Sequence, residues 1–463
     1  MLLLPLGETD KIGASCYYLN IEGTGILLDA GQSPSDDSVE GLPQFDLLDE
    51  DPDRVVDHVI ITHAHHDHVG ALATVVQRWP HAAIHMTVAT RHLLDTLLPA
   101  SARLQARRAR ENGTVGPPGL TEEEVEAVTY LFHGHTLEET FDLTGLLGRA
   151  HVYGKFFHAG HVLGAAGMLV TFEEAGLRRR LFYTSDTNLR NQTIHPGGEY
   201  PEPPIDVLVL ESTLGADGDI ENVTRRSEEE ALCEAISRTL ARGGRVLLPV
   251  FALGRAQEVL ALIDRFKRRG RIPETVPVYT SGLMRGVSDI YDRTRYSSPR
   301  LDPEFEVYGV DQKRMPRSRA AAANVLQEPA IHIASSGMML ENTLSNRLAQ
   351  RLMGDEKSGI FFVGFVKEDA PGSRLLEGFE SGASVSLDPM HEPQKVRCEV
   401  AKFRLTGHSN RRDLISLVGR LNPEITVLVH GDPDARSWMA DNIRFFHPET
   451  EVALSEEGQP LTL

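Results

Sequence analysis

Short apolar runs bounded by polar breaks recur through the first half of the chain and predict strands. Residues 16–21 (CYYLNI) and 25–29 (GILLD) are two such runs, separated by Glu22-Gly23-Thr24, a hairpin-like break. Residues 57–62 (DHVIIT) form a buried-strand candidate that runs directly into His63-Ala64-His65-His66-Asp67-His68, and residues 69–78 then show helical spacing. The local plan is strand, histidine-rich loop, helix. Residues 103–110 (RLQARRAR) read as a charged helix ended by Asn112-Gly113 and Pro117-Pro118-Gly119, and 122–131 resumes as a helix with Thr121 as its N-cap. Residues 150–166 return to strand and loop. The runs 180–184 (RLFYT) and 206–210 (DVLVL) are strands that end at Ser185-Asp186 and at Glu211.

From about residue 217 the texture changes. Helical stretches at 227–241 and 255–268 alternate with strands at 245–251 (RVLLPVF), 276–280, 330–334 (AIHIA) and 359–364 (GIFFVG). That alternation predicts a parallel α/β domain. Residues 384–405 look strand-rich, and 425–430 (ITVLVH) is a late strand. No internal repeat or low-complexity segment interrupts this plan.

Composition narrows the class. The 463 residues, 41% hydrophobic and 24% charged, are ordinary for a globular protein of about two to three domains. There is no run of 18 apolar residues, which excludes a membrane-spanning helix. The start, MLLLPLGETDKIG, lacks a basic n-region and does not read as a signal peptide. Cys16, Cys233 and Cys398 are scattered singly, which fits free thiols in a reducing, cytoplasmic setting. The net charge of −19 argues against a generally basic nucleic-acid binder, yet 39 of the 47 basic residues are arginine, the side chain suited to bidentate phosphate contact.

The strongest chemical signal is His63-x-His65-x-Asp67-His68. In an extended chain His63 and His65 point the same way, while Asp67 and His68 sit at the turn into a helix. Four ligands this close together surround one tetrahedral ion only with strain, but readily give two ligands to each of two ions. His66, at an x position, is expected to point away as a structural residue. The missing ligands have candidates at strand ends: His161 in the loop HAGHVLG, Asp186 after RLFYT and His430 after ITVLV. Two zinc ions so held would lower the pKa of a shared water towards about 7 and make it a nucleophile for a carbonyl or a phosphorus centre.

HAHHDH resembles the second motif of the metallo-β-lactamase fold superfamily. FHAGHVLGAAG (157–167), FYTSD (182–186), LVLESTLG (208–215), GGRVLLPVFALGRAQEVL (243–260), IASSGMM (333–339), TGHSN (406–410) and LVHGD (428–432) resemble, in order and spacing, its β-CASP branch of nucleases. That branch includes the mRNA 3′-end cleavage endonuclease, bacterial RNase J and DNA-repair nucleases. The resemblance runs from about Ile12 to Asp432. It implies an α/β fold: an αββα metallo-β-lactamase sandwich from residues 1–216 and 396–463, with a parallel α/β β-CASP domain inserted at 217–395.

The resemblance further implies two Zn²⁺ per chain, one held by His63, His65, His161 and Asp186, the other by Asp67, His68, Asp186 and His430. Asp29 would support the ligand loop. Asp67, His408 and Glu211 would be catalytic, with Glu211 orienting His408 as proton donor to the leaving oxygen while a metal-bridging hydroxide attacks. From the residues themselves, Ser335 and Ser336 after the strand AIHIA either hold substrate phosphate through hydroxyls and backbone amides or form a plain strand-to-helix turn, and Thr406 and Ser409 flanking Gly407-His408 are candidates for the same role. The implied substrate is single-stranded RNA, or single-stranded DNA, and a homodimer is compatible with the family. Two departures stand out: Ser409-Asn410 where the family often has alanine then aspartate, and 365–372 in place of a glycine-rich turn. Two other classes stay open at this stage, a hydrolase of small esters or thioesters and a non-catalytic RNA-processing subunit.

Overall fold

The strand Val207–Glu211 shows why this chain builds layers. Val207 and Val209 pack into one apolar cluster and Leu208 and Leu210 into another, so the strand is buried on both faces and its sequence is continuously apolar instead of alternating. Ile425–Val429 repeats the device, with Val427 and Val429 on one side and Leu428 on the other. The computed structural model describes residues 1–9, 11–34, 38–112, 121–316, 324–368 and 370–463. The break expected at 113–119, the arginines at 317 and 319, Asp369 and the arginine side chains at 107, 108 and 110 lie outside the described structure.

The chain divides into two units. The first comprises Met1–Asn191, His195–Gly218 and His408–Leu463. One of its sheets runs, in spatial order, Leu461–Thr462, Leu2–Pro5, Tyr17–Ile21, Thr24–Leu28, His58–Ile60, Ala83–Thr87 and Phe132–His135. The other runs Glu451–Leu454, Ile425–Val429, Val207–Glu211, Leu177–Tyr183, Ala166–Glu174, Val152–His158 and Thr140–Asp142. Both sheets are mixed, and the strands that deliver Asp29, His63, Asp186 and His430 each have a parallel neighbour, whereas Val152–His158, which leads to His161, is antiparallel on both sides. Leu3, Tyr17, Leu28 and Ile60 of the first sheet meet Phe156, Met168, Val170 and Val209 of the second in one core. Helices Arg411–Leu421 and Pro433–Phe446 cover the outer face of the second sheet through Leu414, Leu417, Met439 and Ile443. Helix Val88–Asn112 lies against the far strands of the first, giving an αββα order.

The second unit is Asp219–Gly407 with Gln192–Ile194. Its sheet is all-parallel, in the order Lys313–Arg314, Val278–Thr280, Ile331–Ala334, Val246–Pro249, Gly359–Val363, Glu399–Phe403. Leu247, Ile360 and Phe362 pack there against Leu348, Leu352 and Leu375 from helices Leu344–Leu352 and Pro371–Ser381. Buried Glu258 fastens the short segment Gln192–Ile194 into this unit by accepting the amides of Thr193 (2.6 Å) and Ile194 (2.9 Å) and an Arg225 N–H (2.8 Å). Arg255, also buried, donates to the Leu405 carbonyl at 2.7 Å and to Gln192, and burial pushes its guanidinium down to about 10.

The departure at 365–372 is a helix start: Ala370 is the N-cap of Pro371–Ser381, and the proline occupies the first turn, where its missing N–H costs nothing. Among the described residues no helix is long and apolar enough to cross a membrane.

Candidate metal centre

The candidate residues of the first unit collect at one edge of its two sheets, where four strands with parallel neighbours and one antiparallel strand end. Asp29 follows Thr24–Leu28, His63 follows His58–Ile60, His161 follows Val152–His158, Asp186 follows Leu177–Tyr183 and His430 follows Ile425–Val429. Carboxyl ends of parallel strands are where open α/β sheets build their sites. The backbone is unusual at this edge. Asp29, Ser185 and His430 have φ of 62°, 49° and 51°, the left-handed region that residues other than glycine seldom enter. Gly160, at φ 74°, brings the His161 loop so close that a Cβ would come within 2.3 Å of the Asn188 carbonyl oxygen.

The helix after the histidine loop begins earlier than its spacing predicts. His65 is an extended N-cap, and His66–Val69 already form a helical turn before Leu72–Arg78. His63 and His65 therefore project from extended chain, and Asp67 and His68 from the turn. The two pairs enter different groups. In one, His63 Nε2 and His161 Nε2 each lie close to His65 Nδ1, at 3.2 and 3.1 Å, and 3.7 Å from Asp186 Oδ2. In the other, His68 Nε2 lies 3.4 Å from Asp186 Oδ1 and His430 Nε2 lies 3.6 Å from Asp67 Oδ2. Asp186 belongs to both groups, presenting Oδ2 to the first and Oδ1 to the second. Within each group one ligand atom per residue lies within 4.8 Å of every other. His66 is outside both.

Hydrogen bonds behind these groups fix which nitrogen faces inward. Asp29 Oδ2 takes the Nδ1–H of His68 (2.8 Å) and the Tyr183 hydroxyl (2.9 Å), while Oδ1 takes the Thr62 amide (2.8 Å). That turns His68 Nε2 towards the site. Thr213 braces His430. Its hydroxyl has one proton and donates it to Glu211, so it accepts from His430 Nδ1 at 3.0 Å; the same Nδ1 lies 3.2 Å from Asp186 Oδ1, and Nε2 lies 3.6 Å from Asp67 Oδ2. Glu211 itself accepts the Thr187 amide at 2.6 Å on Oε1 and His408 Nδ1 at 3.0 Å on Oε2. His408 Nε2 then points to Asp186 Oδ2, 4.0 Å away. Thr213, two residues past Glu211 in LVLEST, escapes a sequence reading because a strand-end threonine is ordinarily a cap or turn residue; only the fold brings it to His430.

The electrostatics match a place for cations. Burial alone would disfavour charge throughout. Even so, His430 and His68 hold the Asp67 and Asp186 carboxyls below the usual carboxylate range, and Asp186 with Asp29 raises His68 well above an ordinary imidazole. His63, buried and beside His68, is pushed well down and stays neutral. Burial works against a charge on His408, but Glu211 and Asp186 outweigh it and push the imidazole up to about 9. Three buried atoms, Asp186 Oδ1, His68 Nε2 and His430 Nε2, have no hydrogen-bond partner among the described residues, although they converge on one point. Buried polar atoms of this kind are normally satisfied. A divalent ion satisfies all three and offsets the carboxylates, and five histidines with two aspartates are a donor set suited to zinc.

The remaining candidates behave differently. Ser409 is buried, its hydroxyl donating to the Thr187 carbonyl at 3.0 Å and accepting the Leu189 amide at 3.0 Å, so it ties the His408 loop to the Asp186 loop. Ser335, Ser336 and Thr406 belong to the second unit. There Ser336 Oγ accepts the Leu340 amide at 3.0 Å, and the Ser335 carbonyl accepts that of Ser345 at 3.0 Å.

A sandwich carrying two histidine–aspartate groups on one shared carboxylate defines a metallo-hydrolase type of centre. Comparison with known proteins gives the class its family. Residues 9–210 match the metallo-beta-lactamase superfamily, 256–375 the Beta-Casp domain, and 393–454 the Zn-dependent metallo-hydrolase RNA specificity domain. The chain belongs to the metallo-β-lactamase/β-CASP family of metal-dependent hydrolases. It is 29% identical over 497 residues to Endoribonuclease YSH1 of Eremothecium gossypii, covering 98% of this chain and 59% of the relative. It is 28% identical over 451 residues to an RNase J-like protein of Methanocaldococcus jannaschii, covering 93% of each. It is 29% identical over 475 residues to Transcription termination factor FttA of Methanothermobacter thermautotrophicus, covering 98% of this chain and 71% of the relative. The chain thus spans little more than half of the YSH1 relatives. A solved structure of a protein of unknown function from Enterococcus faecalis V583 shares the fold, with a TM-score of 0.58 at 13% identity over 100% of this chain and 99% of that one.

Proposed function

We propose that this protein is a zinc-dependent ribonuclease that hydrolyses phosphodiester bonds of single-stranded RNA, with two zinc ions per chain and His408 as proton donor to the leaving oxygen. His63, His65, His161 and Asp186 would hold one ion, and Asp67, His68, Asp186 and His430 the other. When bound, the ions supply an activated water and positive charge for the phosphate oxygens. The observation that carries the reading is the Glu211–His408 pair. His408 is needed by neither four-residue group, its Nδ1 is spent on Glu211 at 3.0 Å, and its Nε2–H faces the shared carboxylate. A carboxylate-backed imidazole beside a metal centre is what departure of an alkoxide-like oxygen requires. Glu211 keeps the ring oriented, and the Thr187 amide and Thr213 hydroxyl keep Glu211 oriented.

RNA is favoured by the match of residues 393–454 to an RNA specificity domain, and relatives named as endoribonucleases favour internal cleavage. A hydrolase of small esters or thioesters would use the same ligands but leaves the Glu211–His408 pair without a task. The test is digestion of 5′- and 3′-end-labelled RNA, with single-stranded DNA in parallel, by zinc-loaded wild type, His408→Ala and His65→Ala. Wild type is expected to give internal fragments from RNA. His408→Ala should lose about a hundredfold or more in rate with its zinc content intact, whereas His65→Ala should lose both. Cleavage by His408→Ala at the wild-type rate, or its loss of zinc, would overturn the assignment.

A further inference from the structure

The arginine run at 178–180 has no part in the metal centre. It lies on the outward face of the second sheet of the first unit, at a cavity of about 630 Å³. Strand alternation sends Tyr153 and Lys155 outward from Val152–His158, and Arg178 and Arg180 outward from Leu177–Tyr183. The register lines up Tyr153 opposite Thr171 and Thr171 opposite Arg180, one row across three strands. Arg179, of opposite parity, is taken up by Asp206 at 3.1 Å and Glu424 at 2.9 Å. Among the described residues, no ion pair neutralises Lys155 or Arg178. Arg180 has one nitrogen fixed by the carbonyls of Glu202 (2.8 Å) and Pro204 (2.9 Å), and burial together with the like charge of Arg178 pushes its guanidinium down. Glu202 and Asp206 act on Arg180 in the opposite sense, but Lys155 and Arg178 are left without a direct ion pair among the described residues, and crowded cations of this kind can take an anion.

The cavity also has an aromatic platform. Tyr153 is 41% exposed and stacked on His151, ring centroids 6.3 Å apart at 21°. The rim carries Glu138, Glu199 and Glu202, which a bare phosphate would avoid but which can accept hydroxyl and base N–H groups. The inner wall reaches the metal centre through bonds. Tyr200 lines the cavity, its hydroxyl lies 2.6 Å from Thr187 Oγ1, and the Thr187 amide donates to Glu211. Cations, an exposed ring and hydroxyl acceptors in a volume suited to one small ligand describe a ribonucleotide.

We infer that this cavity is an accessory subsite for single-stranded RNA, which takes a nucleotide several positions along the strand from the cleaved bond, with its phosphate on Lys155, Arg178 and Arg180 and its base on Tyr153. The inference rests on the RNA-cleaving reading above and adds where the strand runs.

Binding of a 5′-fluorescein 15-nucleotide oligouridylate is the test, read by anisotropy in the His408→Ala background so that the probe stays intact. Arg178→Glu and Lys155→Glu should each weaken binding about tenfold and lower the slope of log affinity against log salt by about 1. Tyr153→Ala should weaken it about tenfold with the slope unchanged. Arg149→Glu, the same charge change outside the cavity, should stay within about twofold. Unfolding midpoints and zinc content equal to the parent exclude misfolding. Equal affinity of the parent and the cavity variants overturns the subsite, as does an equal loss with Arg149→Glu, which would mean net charge alone. Failure of the nuclease reading looks different: zinc-loaded protein with His408 intact then cleaves no RNA, whatever the binding result. A cavity-dependent preference for the corresponding DNA oligomer would also overturn an RNA subsite.

Discussion

At the residue scale, the centre depends on side chains that would touch no metal. Asp29 holds the Nδ1–H of His68 and so turns its Nε2 inward, and Thr213 holds His430 Nδ1 at 3.0 Å, where it also lies 3.2 Å from Asp186 Oδ1. Asp29 is legible through the family resemblance, which assigns a supporting carboxylate to the end of GILLD. Thr213 is not legible, because its partner is 217 residues away. Replacing Thr213 by valine keeps the shape but removes the acceptor, so His430 is free to take the other tautomer or turn. Outer partners of this kind are worth about 10- to 100-fold in metal affinity. Thr213→Val should therefore release one zinc of the pair about 10- to 100-fold more readily in competition with a chromophoric chelator, while Thr213→Ser behaves as wild type. Equal retention by the valine variant would show that His430 is oriented by its backbone alone.

At the element scale, the two departures from the family pattern become ordinary helix starts. Asn410 is the N-cap of Arg411–Leu421, its side-chain oxygen accepting the Asp413 amide at 2.9 Å, and asparagine serves there as well as aspartate. Because this cap adjoins His408 and Ser409, it also anchors the candidate acid. Asn410→Ala is expected to cost about 1 kcal/mol in urea unfolding, and Asn410→Asp to stay within about 0.5 kcal/mol of wild type, helped by the helix dipole. A silent alanine variant would mean that the Ser409–Thr187 bonds alone hold the loop. Elements with period and punctuation were readable: 255–268 coincides with the helix Arg255–Arg268, and Thr121 caps Glu122–Thr129 as expected. The helix Val88–Asn112 is legible in sequence only from 103 onward, because Pro99 lies inside it and a proline ordinarily ends a helical pattern. Phe132–His135 is illegible for the opposite reason: FHGH has one apolar residue, and its neighbour Ala83–Thr87 supplies its reason to pair.

At the scale of the whole molecule, the −19 charge that seemed to oppose a polynucleotide substrate is partly local. Asp29, Asp67, Asp186 and Glu211 crowd around the two histidine groups, and all of them belong to the first unit. Bound cations would turn that concentration of negative charge into a site for phosphate. The same arrangement predicts how the molecule responds to metal removal. Without cations, the first unit keeps buried carboxylates close together and three converging polar atoms unsatisfied, whereas the second unit contributes no ligand to either group. Ligand binding stabilises the state that binds by RT ln(1 + [L]/Kd), about 2.7 kcal/mol at a hundredfold excess over Kd. Local opening around the site should therefore rise by about a hundredfold when chelator replaces zinc. Hydrogen exchange read by mass spectrometry should show faster exchange in peptides spanning 58–68, 158–163, 183–187 and 427–431. Peptides over the core strands Val246–Pro249 and Ile331–Ala334 should be unchanged. Equal acceleration in both units would mean that metal supports the fold as a whole, and no acceleration at the ligand loops would mean that the centre is preformed without its ions.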